Sequence, residues 1–188
     1  MERCKWANTH HNIYVKYHDE EWGVPVYDDT KLFEFLILES AQAGLSWLTI
    51  LKRRDGYRKA FAQFNVNKVA CFDSGYVEEL MQNTDIIRNR RKIQSAINNA
   101  KIFIKIQQEF GSFSKYIWSF VKFKPIQNSY NKFEDIPVKT EVSDAISIDL
   151  KRRGMSFVGS IIMYAYMQAI GMVNDHEVKC FRYTELNV

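Results

Sequence analysis

Apolar side chains recur at every third or fourth position along most of this chain, which is the spacing of helices that bury one face. No stretch of useful length alternates apolar and polar residues, so no β-strand is predicted. The sequence therefore predicts an all-α fold. The predicted helices cover about 30–43, 46–61, 67–72, 75–82, 90–109, 113–120, 143–152 and 160–170, with a last turn or two over 174–180. Ser143 is predicted to cap the helix over 143–152.

Two segments lack this periodicity. Residues 1–27 hold five aromatic side chains and three of the four histidines, and residues 122–142 hold two of the three prolines. We expect the first to be irregular and the second to be a surface connection. A chain of 188 residues suits a single domain. We expect two helical lobes around a cleft, a central lobe over about 46–120 and a terminal lobe built from 1–45 and 121–188.

One acid interrupts the apolar face of the helix predicted over 30–43. Because an unpaired buried carboxylate is costly, Glu39 must be paired with an arginine of the core, protonated, or reserved for a ligand. Gly44 is predicted to end this helix, and Ser46 and Trp47 begin the next. An acid, a glycine turn and a tryptophan at such short range suggest the wall of a pocket. The stripe that contains Glu39 also contains Leu32, Phe35, Leu36 and Ala43.

Composition narrows the class of protein. A hydrophobic content of 46% supports a real core, and a net charge of +4 is compatible with nucleic-acid binding without identifying it. No apolar run approaches the length of a membrane span, and the first residues lack the apolar region of a signal peptide. The three cysteines are far apart and predict no disulfide framework. We therefore expect a cytoplasmic protein with no membrane partner.

Three basic clusters, at 52–54, 88–92 and 151–153, lie at or near predicted helix ends. They can contact phosphates, but ordinary solvated helix faces are the alternative. After the third cluster, Gly154 and Gly159 flank a short connection between two helices. Glycines let a phosphate approach the backbone N–H groups that begin the second helix. This arrangement resembles the helix-hairpin-helix element of DNA repair glycosylases, although the hairpin alone is a weak signal.

In those glycosylases the second helix leads to a motif whose aspartate is catalytic. The corresponding place here is Val173-Asn174-Asp175-His176. If the histidines are matched, Asn174 occupies the position of the catalytic aspartate, and Asp175 is expected to point elsewhere. Because an amide cannot act as a general base, such a member needs a substrate with an unusually weak bond.

Cys4 and His18 near the start, and His176 and Cys180 near the end, supply the donor set of a closed tetrahedral zinc site. On a helical turn, residues 176 and 180 would lie one above the other. Such a site would be structural and would join the N-terminal segment to the C-terminal one. The alternative is core cysteines and surface histidines.

The remaining histidines and cysteine have simpler interpretations. His10 and His11 are rival candidates for the ligand positions. Cys71, between Ala70 and Phe72, is predicted to be a small buried hydrophobic residue.

Several strings in one order resemble the 3-methyladenine DNA glycosylase I family over nearly the whole chain. They are Met1-Glu2-Arg3-Cys4-x-Trp6, Tyr17-His18-Asp19-Glu20-Glu21-Trp22-Gly23-Val24-Pro25, Leu38-Glu39-x-x-Gln42-Ala43-Gly44-Leu45-Ser46-Trp47, Ile86-Ile87-Arg88, Trp118-Ser119-Phe120, Arg153-Gly154-x-x-Phe157-Val158-Gly159 and Val173-Asn174-Asp175-His176.

The resemblance implies a structural zinc ion on Cys4, His18, His176 and Cys180. It also implies a pocket for a flipped-out base, made of Trp6, Tyr14, Tyr17, Trp22, Glu39 and Trp47. Ala41 departs from the family pattern, at a position of peripheral contact at most.

The implied activity is the release of free N3-methyladenine from alkylated double-stranded DNA by a monofunctional, monomeric enzyme. Alkylation makes the base a cation that leaves neutral, so recognition by Glu39 replaces acid–base catalysis. Tyr17 would bond the base or orient Glu39. Gly44 and Leu45 would fill the gap left by the flipped base. Arg153, Gly154 and Gly159 would anchor the DNA backbone.

Two other classes of protein remain as alternatives. A non-catalytic helix-hairpin-helix module would keep the hairpin and the basic clusters, but it has no need for an acid among aromatic residues. A nucleobase deaminase would need a His-x-Glu motif together with a Pro-Cys-x-x-Cys motif, and the sequence has no Pro-Cys-x-x-Cys.

Overall fold

The computed structural model describes residues 2–7 and 9–187, and most of them are helical, which confirms the predicted all-α class. None of the described helices is both long enough and apolar enough to cross a membrane. The division into two lobes stays a prediction. The α-helices are α1 (Asn12–Glu20), α2 (Asp29–Gln42), α3 (Trp47–Leu51), α4 (Arg54–Ala60), α5 (Val66–Ala70), α6 (Ser74–Gln82), α7 (Arg90–Phe110), α8 (Phe113–Ser119), α9 (Glu141–Arg152), α10 (Ser160–Ala169) and α11 (Phe181–Glu185).

Helix α2 is the centre of the molecule. Its residues from Leu32 through Ala41 are all buried, so the helix is covered on every side rather than on one face. It packs against α3, α7, α8 and α10, which come from both ends and the middle of the chain. Any polar group between Leu32 and Ala41 therefore faces either the core or a cavity.

Side-chain caps determine where several helices begin. Asp28 accepts a hydrogen bond from the Lys31 N–H at 2.8 Å, and α2 starts after it. At α9 the cap is Thr140, and Ser143 is the third helical residue of a capping box. The prediction that Ser143 itself caps this helix was therefore wrong by one turn, because Ser143 supplies the reciprocal half of the same motif.

Several boundaries differ from those the periodicity predicted. The helix expected over 46–61 is broken at Lys52 and Arg53 into α3 and α4. The 1–27 segment is not irregular throughout, since it contains α1 and a 3-10 turn at Lys5–Ala7. Helix α1 begins after His11, whose side chain makes no capping hydrogen bond, so the sequence carried no start signal there.

The C-terminal part also departs from the helical prediction. Strand β1 (Ile126–Gln127) pairs in parallel with strand β2 (Val173–Asn174), with Ile126 opposite Val173. Two residues are too few to show alternation in a sequence, which is why no strand was predicted. This pairing fixes the 122–142 segment to the chain just before His176, and residues 174–180 are not helical.

One member of the first basic cluster is part of the core. Arg54 is buried and pairs with Glu21 at 2.8 Å and with Glu34 at 2.7 Å. Although burial opposes ionisation, the pKa of each carboxyl lies below its usual value because of this guanidinium. Arg54 therefore joins α4 to α1 and α2, and it does not face solvent as a phosphate contact would require.

Gly171, just after α10, allows the two ends of the chain to meet. Its φ of +72° favours glycine, and a Cβ there would overlap the backbone of Val24 and Pro25. We expect Gly171→Ala to lower the free energy of unfolding by about 3 kcal/mol, the sum of backbone strain and overpacking. Urea denaturation measures this loss.

Gly44→Ala is the matched control for that variant. Gly44 has a similar φ of +78°, but an added Cβ meets nothing within 4 Å. The free energy of unfolding of Gly44→Ala should therefore fall only by the strain of the left-handed conformation, about 1–2 kcal/mol. Equal losses for the two variants would contradict the close approach at Gly171.

Candidate active site and metal centre

A small cavity lies between α1, α2, α3 and α10. Its volume is about 180 Å³, below the roughly 300–1,000 Å³ of pockets for drug-sized ligands, so it suits one small ring system. The structure brings all six predicted base-pocket residues together here, far apart as they are in the sequence. The lining residues are Trp6, Tyr14, Tyr17, Trp22, Glu39, Gln42, Trp47, Phe133, Ala165 and Gln168.

The aromatic side chains meet at tilted or perpendicular angles. The ring centroid of Trp6 lies 5.0 Å from that of Tyr14 and 5.0 Å from that of Trp22, and Tyr17 lies 5.3 Å from Trp47. None of these pairs is a parallel stack. The rings therefore support one another by their edges and form walls that a flat ligand can contact.

Glu39 is the only acid among the lining residues, and it is 4% exposed. Its Oε2 atom has no hydrogen-bond partner, and burial raises its pKa to about 8. The ion pair with a core arginine, which was the structural alternative, does not form, because Arg54 pairs with Glu21 and Glu34. Of the options open from the sequence, protonation and reservation for a ligand remain.

Two further polar atoms of the same pocket lack partners. The indole Nε1–H groups of Trp6 and Trp47 are buried without a hydrogen-bond acceptor. Buried polar groups are nearly always paired, so two unpaired donors and one unpaired acceptor on residues that line one cavity are an arrangement suited to a polar ligand.

Tyr17 is 3% exposed on α1 beside this acid. Burial raises the pKa of Tyr17 well above its usual value, and the negative charge of Glu39 raises it further. Its hydroxyl therefore stays protonated at physiological pH and can act as a donor toward Glu39 or a ligand.

The turn after α2 lies beside the pocket. Gly44 adopts a φ of +78°, and Leu45 is 40% exposed. Lys92 donates to the carbonyls of Ala41 at 2.8 Å and Ala43 at 2.6 Å, the last carbonyls before the turn. Lys92 belongs to the second basic cluster, and these bonds make it a support of the turn rather than a free phosphate contact.

A second cavity continues from the pocket toward this turn. It shares Glu39, Gln42 and Ala165 with the first cavity and is lined by Gly44, Leu45 and Ile161. The predicted DNA-contacting turn and the pocket are thus adjacent parts of one surface.

The predicted hairpin between α9 and α10 is present and is fixed to the pocket helix. Ser40, next to Glu39, donates to the Phe157 carbonyl at 3.0 Å. On α7, Asn99 donates to the Ser156 carbonyl at 2.9 Å. Gly154 has a φ of +98°, and a Cβ added at Gly159 would meet nothing within 4 Å, so the backbone there is open to a ligand.

Arg153 is not a free cation. It pairs with Glu109 at 2.6 Å and Asp149 at 2.7 Å, and it lies over the rings of Phe110 and Tyr116. Its charge is thus balanced within the protein, and its side chain holds the start of the hairpin against α7 and α8.

The four predicted metal ligands converge in one buried cluster. All four ligand atoms lie within 4.8 Å of one another. The Cys4 Sγ lies 3.4 Å from the His176 Nδ1, and the Cys180 Sγ lies 3.5 Å from both the His18 Nε2 and the His176 Nδ1. Such separations are the edges of a tetrahedron around an ion bound at about 2.0–2.3 Å. The cluster could hold a metal ion.

The second ring nitrogen of each histidine is already engaged. His18 Nδ1 lies 2.8 Å from Asp19, which Arg3 holds, and His176 Nε2 lies 3.0 Å from the Trp22 carbonyl. These partners fix each ring so that the other nitrogen faces the cluster, as second-shell groups do at metal sites.

Three expectations about these residue types were wrong. His176 and Cys180 meet across a turn and not along a helix. His10 and His11 are exposed and outside the cluster, which excludes them as rival ligands among the described residues. Cys71 is exposed and not buried, because it caps the C-terminus of α5 at the surface.

Asn174 and Asp175 do not line the pocket. The Asn174 amide donates to Gln127 at 3.1 Å and to the Tyr183 carbonyl at 3.2 Å, which joins β2 to β1 and α11. Asp175 accepts hydrogen bonds from three side chains and is 1% exposed. As expected from the sequence, Asp175 points away from the cavity.

The sequence did not identify Gln42, Phe133, Ala165 and Gln168 as lining residues. Gln168 carried a usable signal, because it is a polar residue in the apolar run of α10, as Glu39 is in α2. Phe133 carried none, since it lies in a 3-10 turn of the 122–142 segment that folds back over the pocket.

Comparison with known proteins agrees with this geometry. A family described as methyladenine glycosylase matches residues 6–183. DNA-3-methyladenine glycosylase 1 of Escherichia coli (strain K12) is 48% identical over 183 residues, which cover 97% of each chain. A crystal structure of 3-methyladenine DNA glycosylase I superposes with a TM-score of 0.93 at 47% identity, covering 96% of this chain and 98% of the other.

Another similar structure, with a TM-score of 0.93 and 37% identity, is a variant of 3-methyladenine DNA glycosylase I in complex with 3-methyladenine; the match covers 96% of this chain and 97% of that one. The family match spans most of the chain, and the relatives match over nearly their whole length. The chain belongs to the methyladenine glycosylase family.

Proposed function

We propose that this protein is a DNA-3-methyladenine glycosylase that removes N3-methyladenine from alkylated double-stranded DNA as the first step of base-excision repair. The observation that carries the proposal is the set of three unpaired polar atoms, Glu39 Oε2 and the indole nitrogens of Trp6 and Trp47, on residues that line one aromatic cavity. A purine that offers an amino donor and ring-nitrogen acceptors would satisfy both kinds of atom.

Recognition of positive charge is the central part of the mechanism. N3-alkylation makes the base cationic in DNA, and the aromatic walls favour a cation by about 0.5–2 kcal/mol. Next to such a base, Glu39 would ionise and accept a charge-assisted hydrogen bond from the adenine amino edge. Tyr17, which keeps its proton, would donate to Glu39 or to the base.

The bond-breaking step needs little acid or base assistance. The electrons of the glycosidic bond move to the base, which leaves neutral, and water adds to the sugar carbon and releases a proton to solvent. Asn174 and Asp175 lie outside the cavity, so no aspartate is positioned to activate that water. No lysine lines the cavity either, which fits a monofunctional enzyme that does not cleave the strand.

DNA would be held on the surface formed by the turn and the hairpin. The target base must leave the helix to reach the cavity, and Gly44 and Leu45 would fill the space that it vacates. The open backbone at Gly159 would bind phosphate, with Gly154 making the turn before it and Arg153 fixing the hairpin in place.

Zinc is the metal that we propose for Cys4, His18, His176 and Cys180. Four protein ligands leave no open coordination position, so the ion would supply structure and no catalytic step. We further propose that the protein acts as a monomer in the cytoplasm, since a single pocket takes up a single flipped nucleotide.

A single assay separates this proposal from a non-catalytic DNA-binding module. The protein is incubated with N-methylated duplex DNA, and the released bases are identified by mass spectrometry. Free 3-methyladenine is expected, in an amount that grows with enzyme concentration. Binding to the methylated duplex without any released base would instead support the non-catalytic module.

A further inference from the structure

Asp175 is a buried carboxylate that the proposed reaction does not use directly. Its Oδ1 accepts from Asn128 at 2.6 Å, and its Oδ2 accepts from Tyr164 at 2.7 Å and from Gln168 at 2.8 Å. Two of these donors hold the carboxylate in place. The third donor, Gln168, lies on the wall of the pocket, so Asp175 is one side chain away from the ligand.

This contact fixes which way the Gln168 amide faces. A carboxylate only accepts hydrogen bonds, so the Nε2 end of the amide must face Asp175, and the Oε1 end must face away from it. The Gln168 backbone is held as well, because its carbonyl accepts from the Gly23 N–H at 3.0 Å. No described residue donates a hydrogen bond to Oε1. The side chain therefore presents a positioned acceptor to the cavity that Glu39 also lines.

We propose that Gln168 is a specificity-determining residue that accepts a hydrogen bond from the exocyclic amino group of the bound base, and that Asp175 is the positioning residue that keeps the Gln168 carbonyl directed toward it. This inference rests on the proposed function, since it concerns the same pocket. It assigns a role to the aspartate beside Asn174 that differs from proton transfer.

The chemical consequence is discrimination between amino and keto purines. An adenine-type base offers N–H donors at its 6-position, whereas a hypoxanthine-type base offers a carbonyl oxygen there. A fixed amide oxygen attracts the first and repels the second. If the amide could turn, its Nε2–H group would donate a hydrogen bond to the keto oxygen and the keto base would bind as well. The preference for the amino base therefore depends on the hydrogen bond from Gln168 to Asp175.

The test compares the affinities of 3-methyladenine and 3-methylhypoxanthine, which carry an amino and a keto group at the 6-position. Because the keto base also carries a ring N–H, the readout is the change in preference of each variant relative to the wild type. Tryptophan fluorescence titration measures both for the wild type and for Gln168→Met, Gln168→Leu and Asp175→Leu. Tyr164→Phe is the control, because it removes a donor to the same Oδ2 atom but leaves the Gln168 amide in place. Melting temperature and metal content are recorded for each, since Asp175 precedes His176.

We expect both Gln168 variants to bind 3-methyladenine about 3- to 10-fold more weakly than the wild type, which corresponds to the loss of one hydrogen bond. The ratio of the affinities for the amino base and the keto base should fall by about tenfold. Asp175→Leu, which has about the same size but no acceptor, should lose a similar preference, and Tyr164→Phe should keep it. Two variants at residue 168 are included so that the test can still be carried out if one of them fails to fold.

An unchanged preference in folded Gln168 variants would overturn the role of Gln168. An unchanged preference in folded Asp175→Leu, with a loss in the Gln168 variants, would overturn the positioning role of Asp175. If the wild type fails to bind 3-methyladenine at all, the proposed function itself is at fault, and this outcome is distinct from the other two.

Discussion

Replacing Glu39 with glutamine should lower kcat/KM for the release of 3-methyladenine from DNA by about 100- to 1,000-fold, the usual effect of removing one preorganised electrostatic contact. Glutamine has nearly the same shape, but it cannot carry the negative charge that favours a cationic base. With no other acid lining the cavity, nothing in the pocket replaces that charge. The measurement is single-turnover release of the free base, followed by chromatography.

The pH dependence of the wild type gives a second readout of the same carboxylate. In the empty pocket burial raises the pKa of Glu39 to about 8, so the group is mostly protonated at neutral pH. A bound cation lowers this pKa, and binding therefore releases a proton. For this reason kcat/KM should rise with pH by up to about tenfold per unit below pH 8 and level off above it. The Glu39→Gln variant should lack this rise.

Stability provides the control for that variant. The pKa of Glu39 in the folded state, about 8, lies above its ordinary value of 4.5, so the folded state binds more protons between these values. Stability should therefore fall as pH rises from about 4.5 toward 8, and Glu39→Gln should remove this dependence without lowering the melting temperature. Release of 3-methyladenine at a near-wild-type rate by the folded variant would exclude Glu39 from the mechanism.

The central and long helices could be predicted because burial determines their pattern. The period of Ile93, Ile97, Ala100 and Ile106 places α7, and the buried run from Leu32 to Ala41 places α2. Glu39 stood out as an exception to the same pattern. Helix α1 could not be predicted in this way. Its aromatic residues face a pocket and the Cys/His cluster rather than a simple apolar core, and its start has no side-chain cap.

Contacts between distant parts of the chain could not be predicted from the sequence. The β1–β2 pairing, the approach of Phe133 to the cavity and the hydrogen bond between Gln168 and Asp175 all join segments that only the completed fold brings together. The basic clusters show the converse. Arg54, Lys92 and Arg153 had the composition of phosphate contacts, but each is engaged within the protein. A cluster of basic residues in the sequence does not show whether the folded chain brings an acidic side chain or a backbone carbonyl into contact with them.

The metal ligands lie between these cases. Residue types and their positions at the two ends of the chain suggested the donor set, although the helical geometry assumed for His176 and Cys180 was wrong. The structure brings these four side chains together in one buried cluster that could hold a metal ion, since two thiols and two imidazoles are the donor set of a closed zinc site.

Removing the metal should destabilise the protein more than any single core substitution. Structural zinc sites contribute free energy to folding directly, and even about 5 kcal/mol would lower the melting temperature of a chain of this size by about 10–20 °C. We expect that loss on treatment with a strong chelator and in Cys180→Ser, with about one zinc ion per chain in the wild type. Thermal denaturation and elemental analysis measure both quantities.

Cys71→Ser is the matched control, because Cys71 is exposed and lies outside the cluster. It should keep both the metal and the melting temperature of the wild type. A wild-type protein that contains no metal, or a Cys180→Ser variant with unchanged stability, would contradict a structural metal at this position.

Metal loss should also abolish binding of the base, because the cluster supports the pocket wall. The ring centroid of His18 lies 5.1 Å from that of Trp6, and the ring centroid of His176 lies 4.6 Å from that of Trp22. If the cluster opens, these two tryptophans lose the support of the histidine rings, and the pocket wall that they form is no longer held in place. The two perturbations therefore give different signatures: Glu39→Gln removes excision and keeps stability, whereas metal removal takes away both, and restoring the metal should return them together.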